Sequence, residues 1–112
     1  MLFNYNPADI PKNKTYITES GSNYSLDSEG RFHGRDSIEG VKPVLVAGLG
    51  QKHEMAIDSS FDYVDRNALG DLIKKFGKKP KKNRYLVMLL STEDMEKTGR
   101  IGFKSSPLEK IK

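Results

Sequence analysis

The stretch Asp65-Arg66-Asn67-Ala68-Leu69-Gly70-Asp71-Leu72-Ile73-Lys74-Lys75-Phe76-Gly77, with Tyr85-Leu86-Val87-Met88-Leu89-Leu90 just beyond it, decides the fold class. In the first half Leu69, Leu72, Ile73 and Phe76 recur at helical spacing and define one apolar stripe. Asp65 or Asn67 is available to cap the start. Asp71 lies early and Lys74 and Lys75 late, as the helix dipole favours, and Gly77 supplies a C-terminal stop. The spacing predicts a helix over about 65–76. The second half is apolar at every position, the pattern of a strand covered on both faces. A helix with one greasy stripe, followed by a strand that must be buried on two sides, requires a sheet with that helix laid across it.

The flanking sequence is β-prone. Thr15–Thr18 and Asn23–Leu26 flank Ser20-Gly21-Ser22, a hairpin or bulged-bend signal, and Asp27-Ser28-Glu29-Gly30 is a second turn. Arg31–Gly40 is polar and reads as a loop or short strand. Val41–Leu49 is a strand with Pro43 near its start, which suits a sheet edge. Gly48-Leu49-Gly50 turns the chain, and Lys52–Ile57 is a candidate return strand. Ser91-Thr92-Glu93-Asp94 has the form of a capping box. Arg100–Phe103 and Leu108–Ile111 are two closing strands around Ser105-Ser106-Pro107. Residues 1–13, with Pro7 and Pro11, form an irregular lead-in. The expectation is a single α+β domain over residues 1–112, a small curved antiparallel sheet or open β-barrel with the one main helix packed on it.

Composition narrows the functions. A chain of 112 residues buries on the order of 65% of its unfolded surface, enough for one core. The absence of cysteine excludes a disulfide scaffold, a thiolate metal site and a cysteine nucleophile. No apolar run approaches the roughly 20 residues of a membrane span, and Met1–Asn13 lacks the apolar core of a signal peptide. A soluble, cytoplasmic protein with no membrane partner is expected.

The net charge of +4 is uneven. Seven of the 19 basic residues, Lys74, Lys75, Lys78, Lys79, Lys81, Lys82 and Arg84, lie within eleven positions; the other 12 face 15 acidic residues, so the remainder carries −3. A local cationic patch bears more directly on binding than a diffuse excess. These seven residues, with Tyr85 and Phe76 as stacking surface, form a candidate nucleic-acid contact. The same charge also fits an acidic protein partner, or a solvated segment that keeps the chain dispersed.

Other constellations are weaker. Glu54, Asp58, Asp62 and Asp65 lack the ligand spacing of a calcium loop and suit turn and cap positions. His53-Glu54-Met55-Ala56-Ile57 begins like a zincin motif but has Ile57 where the second ligand belongs. Gly48-Leu49-Gly50 lacks the third glycine of a dinucleotide turn. No cofactor, metal site or catalytic residue is therefore assigned. His33 with Arg35, and His53 with Glu54, are the only materials for general acid–base work at a phosphate. Tyr24-Ser25-Leu26-Asp27-Ser28-Glu29-Gly30-Arg31 resembles the Tyr-x-x-Asp-x-x-Gly-Arg strand–turn–strand near the start of some bacterial toxin nuclease domains. The likeness covers eight residues, the Asp-Gly-Gly-His core of those domains is missing, and it implies the local hairpin without the activity.

Three functions follow in order. The first is a small non-enzymatic module that contacts DNA or RNA phosphates through Lys74–Arg84. The second is a protein-binding regulator or inhibitor of the phage or mobile-element type. The third is a small nuclease or phosphodiesterase. A homodimer through the Val41–Leu49 edge is a further expectation.

Overall fold

The structure, a computed structural model, describes residues 10–50 and 66–112. Within them the elements run β1 (Lys14–Thr18), β2 (Asn23–Leu26), β3 (Phe32–His33), β4 (Leu45–Leu49), α1 (Arg66–Phe76), β5 (Tyr85–Leu89), α2 (Thr92–Thr98) and β6 (Gly102–Ile111). The six strands form one antiparallel sheet in the order β3-β2-β1-β6-β5-β4, curled into a half-barrel.

β5 behaves as its sequence requires. It lies between β6 and β4 and buries alternate residues on opposite faces. Leu86, Met88 and Leu90 enter a core with Tyr16, Tyr24, Phe32 and Phe103. Val87 and Leu89 enter a second core with Leu45, Ala47, Leu49, Leu69 and Ile73. The second core is where α1 docks: Leu69 and Ile73, four residues apart, are fully buried, and burying a side chain of that size stabilises by roughly 1.5–3 kcal/mol. The aromatic trio Tyr24, Phe32 and Phe103 fills the first core, with Tyr24 and Phe103 edge-to-face at 4.8 Å.

Several expectations change. Phe76 does not complete the buried stripe; it is 42% exposed, because it falls at the last residue of α1, beyond the sheet-facing pair Leu69 and Ile73. Asn67 is the second residue of the helix and not its cap, while Asp65 lies outside the described residues. The backbone at Gly77, just past the end of α1, admits only glycine for a steric reason. It is not left-handed; a Cβ there would stand 2.2 Å from the Ile73 carbonyl oxygen, which accepts the Gly77 N–H at 2.6 Å.

The strand expected from Val41 begins at Leu45. Pro43 has no N–H to give to a ladder, and the residues before it serve another strand: Phe32 N–H donates to Val41 O at 2.8 Å and Gly40 N–H to Phe32 O at 2.7 Å, covering the outer side of β3. β4 is an edge of the described sheet, as Pro43 suggests. The Lys52–Ile57 return strand lies outside the described residues.

The two expected closing strands are one, β6, which pairs with β5 through Gly102–Pro107 and with β1 through Leu108–Ile111. The ladder shifts register between Tyr85 and Val87, and there the buried Ser105 takes over from a main-chain acceptor: its Oγ receives the Leu86 N–H at 3.1 Å and donates to Ser106 O at 2.6 Å. A bulge of this kind accommodates a proline inside a strand. Gly48 and Leu49, expected to turn the chain, instead belong to β4 and pair with Leu86 and Tyr85. Gly48 makes room for Lys79 O and Arg84, which approach to 3.1–3.2 Å of where a Cβ would be, and does not bend the strand. The turns at Gly21 and Gly30 are as expected, with φ of 91° and 80°, and Ser91 caps α2 by accepting the Asp94 N–H at 3.1 Å.

Candidate functional site

The basic segment is divided between a helix end and a loop. Lys74 and Lys75 occupy the last turn of α1, and both are exposed. Lys74 lines an open cleft of about 520 Å³ with Asp71 and Gly70 on the helix and Val44, Leu45 and Leu89 on the sheet. Lys78, Lys79, Lys81 and Lys82 follow on a separate, exposed loop.

That loop is braced. Lys78 and Gly48 bond in both directions, Lys78 N–H to Gly48 O at 3.0 Å and Gly48 N–H to Lys78 O at 2.5 Å. The loop therefore pairs with β4 on the side away from β5. A Cβ on Gly48 would stand 3.1 Å from Lys79 O and 3.2 Å from both Cβ and Cδ of Arg84. The start and end of the loop thus come together over one glycine, and the aliphatic stem of Arg84 lies across it. At the far end Arg84 N–H reaches back to Lys81 O at 3.2 Å, Asn83 takes φ of 72°, and Asn83 N–H and Arg84 O pair with Leu108 at 2.8 Å each. The loop is a closed turn that holds four ammonium groups on one anchored piece of backbone.

Arg84 and Tyr85 are half-buried. The ring of Tyr85 is covered on one face by the Lys104 ammonium, 5.0 Å from its centroid, a cation–π contact. Lys104 is a basic neighbour that charge clustering along the chain did not reveal. Its pairing opposite Val87, which brings it beside Tyr85, depends on the β5–β6 register. Among the described residues the ion pairs are His33 with Asp27, His33 with Glu39, and Glu93 with Lys97; the loop lysines are in none of them.

His33 does not stand with Arg35. The Arg35 guanidinium lies over the Phe103 ring at 5.6 Å, and His33 is instead held between two carboxylates. Its Nε2–H donates to Asp27 Oδ2 at 2.7 Å and its Nδ1–H to Glu39 Oε2. Asp27 Oδ1 also accepts the N–H groups of Glu29 and Arg31, and Glu39 Oε1 that of Gly34. Hydrogen bonds from Asp27 and then Glu39 raise the His33 pKa above its usual 6.5. The His33 bond first, and the two backbone N–H bonds after it, lower Asp27 from 3.8 to about 2. The Gly34 N–H, and after it His33, lower Glu39. In the imidazolium form, which donates from both ring nitrogens, this histidine presents no basic lone pair for abstracting a proton.

His53 and the acidic set Glu54, Asp58, Asp62 and Asp65 lie outside the described residues. Among the described residues no three His, Asp or Glu side chains are grouped as metal ligands, and no helix is long and apolar enough to cross a membrane. No known family model, curated protein or solved structure matches the chain.

Proposed function

We propose that the chain is a non-enzymatic binding module that contacts the phosphate backbone of nucleic acid through the Lys78–Arg84 loop, with Lys74, Lys75 and Lys104 nearby. The anchored loop carries this proposal: its ends are gathered at Gly48, so four exposed ammonium groups are presented from backbone that is already ordered. Pre-ordering lowers the entropy lost on binding. Lysine contacts to phosphate carry little sequence information, so binding is general in sequence and steep in salt. The cytoplasm is the compartment this function implies, and a cysteine-free chain fits its reducing conditions.

The test is titration of labelled single- and double-stranded DNA and RNA into the wild-type chain and into a Lys78→Glu, Lys79→Glu, Lys81→Glu, Lys82→Glu variant. Binding of about micromolar strength at low salt, lost in the variant, supports the proposal. No binding, or binding unchanged by charge reversal, refutes it. A lysate partner that survives nuclease treatment and depends on the same four lysines would instead identify the loop as a protein-docking element.

A further inference from the structure

His33 stands where three pieces of chain meet. On β2 its cross-strand neighbour is the uncharged Ser25. The β2–β3 turn brings Asp27, Glu29 and Arg31, and the segment after β3 brings Arg35, Asp36 and Glu39. The two arginines are directed elsewhere: Arg31 donates to Gly40 O at 3.0 Å and Arg35 lies over Phe103. One imidazole is therefore flanked by two carboxylates, and only the doubly protonated ring can donate to both.

The neutral ring keeps a single N–H. Its other nitrogen then turns a lone pair toward a carboxylate oxygen at hydrogen-bond distance, and one of the two acids must move away. Asp27 is retained by two backbone N–H groups, at 2.8 and 3.0 Å; Glu39 is retained by that of Gly34 at 2.9 Å, with a smaller contribution from the backbone of Arg35. Glu39 is the more weakly held. It is also a side-chain tie between the 34–40 segment and β3, beside the buried Ile38, and this segment, with Val41, occupies both main-chain hydrogen-bonding groups on the outer side of Phe32.

We propose that His33 is a proton-operated clasp: as imidazolium it latches the Gly34–Gly40 segment over the outer edge of β3, and on losing its proton it releases Glu39 and loosens that segment. The direction follows from the two carboxylates, which raise the folded pKa of His33 above 6.5. A raised value means that the clasp is complete below 6.5 and opens as pH climbs through the folded value. The device is shut in weakly acidic solution and opens toward alkaline pH. Opening uncovers the main chain of Phe32, and an uncovered edge strand is a template for adding another strand.

The experiment is an NMR titration of the full chain from about pH 5.5 to about pH 9, following the His33 ring and the hydrogen-exchange protection of the Gly34 and Gly40 amides, corrected for base catalysis. The expected result is a His33 midpoint above 6.5 with a several-fold loss of Gly40 and Gly34 protection tracking it, while Leu86 in the core keeps its protection. His33→Gln and Glu39→Gln are each expected to abolish the dependence, with His53 present throughout as a second titrating ring. A His33 midpoint at or below 6.5, Gly40 protection that is flat across the titration, or a pH dependence that persists in His33→Gln would overturn the proposal. The two wild-type measurements decide it even if both variants fail to fold.

Discussion

Gly48 and Lys78 exchange both of their main-chain hydrogen bonds, at 3.0 and 2.5 Å, across 30 positions of sequence. The cationic loop is thereby fixed to the sheet through a residue that has no side chain, and the absence of that side chain is essential. In Gly48→Ala the new methyl group meets Lys79 O and the Arg84 stem at 3.1–3.2 Å. The carbonyl belongs to a loop held at both ends, so it yields poorly. A loss of about 1–3 kcal/mol is expected, as for overpacking elsewhere. Urea unfolding measures it, and loss of Lys78 amide protection would localise it to the loop.

Gly77→Ala is expected to do more damage. Its Cβ falls 2.2 Å from the Ile73 carbonyl oxygen, a distance that only backbone movement can relieve. The last turn of α1 must unwind or tilt, and Ile73 is one of the two residues that seat the helix. Destabilisation of at least about 2 kcal/mol, with reduced helical circular dichroism, is the expected outcome. Unchanged thermal unfolding would show that the chain leaves α1 by another path.

Ser105→Ala probes the bulge. Removing the hydroxyl strips the Leu86 N–H of its acceptor at 3.1 Å in a site where Ser105 is only 5% exposed. An abandoned buried donor costs about 1–3 kcal/mol. Ser105→Thr, which keeps the oxygen, is expected to recover most of the loss; denaturant midpoints of the three proteins make the comparison.

Salt dependence tests the binding proposal quantitatively. If each of the four loop lysines neutralises one phosphate of a duplex, log K falls with log salt at a slope of about −3 to −4. Each single Lys→Ala change at 79, 81 or 82 then flattens the slope by about 1 and weakens all sequences alike. Base-dependent losses would point to readout of a different kind.

Acid acts on Asp27. Its pKa is lowered from 3.8 to about 2, so its stabilising contribution is complete above the unfolded value and disappears as pH falls through the folded one. The difference in urea midpoint between wild type and Asp27→Asn is expected to be largest near neutral pH and to shrink toward about pH 2. A difference that stays constant into acid would assign the effect to shape and not to charge.

The fold was legible where burial is written into the local pattern. Tyr85–Leu90 has no polar position to place in water, so two covers and a central strand followed, and both are present. Leu69 and Ile73 read correctly for the same reason, whereas Phe76 did not: helical spacing gives direction but not how far the supporting sheet extends. Pro107 was misread as a break because a side-chain acceptor, Ser105 Oγ, substitutes for the ladder there, and no local rule anticipates that. The basic loop was visible as charge, but its anchor at Gly48 depends on tertiary pairing. The His33 clasp left a faint trace, since Asp27 and Glu39 each stand six residues from it. Only the turn through Gly30 and the return through Gly40 convert that symmetric spacing into contact.

β6 has a consequence for synthesis. Among the described residues it is the one strand that joins β3-β2-β1 to β5-β4, and it does so with residues 102–111. A nascent chain that has not reached Gly102 holds two separate half-sheets, each with an apolar face and an open margin. Such a chain cannot close its core however long the ribosome pauses, and it offers unpaired edges to its neighbours during that interval. Completion of the sheet therefore awaits the emergence of β6, and until then the chain is more open to aggregation and to chaperones.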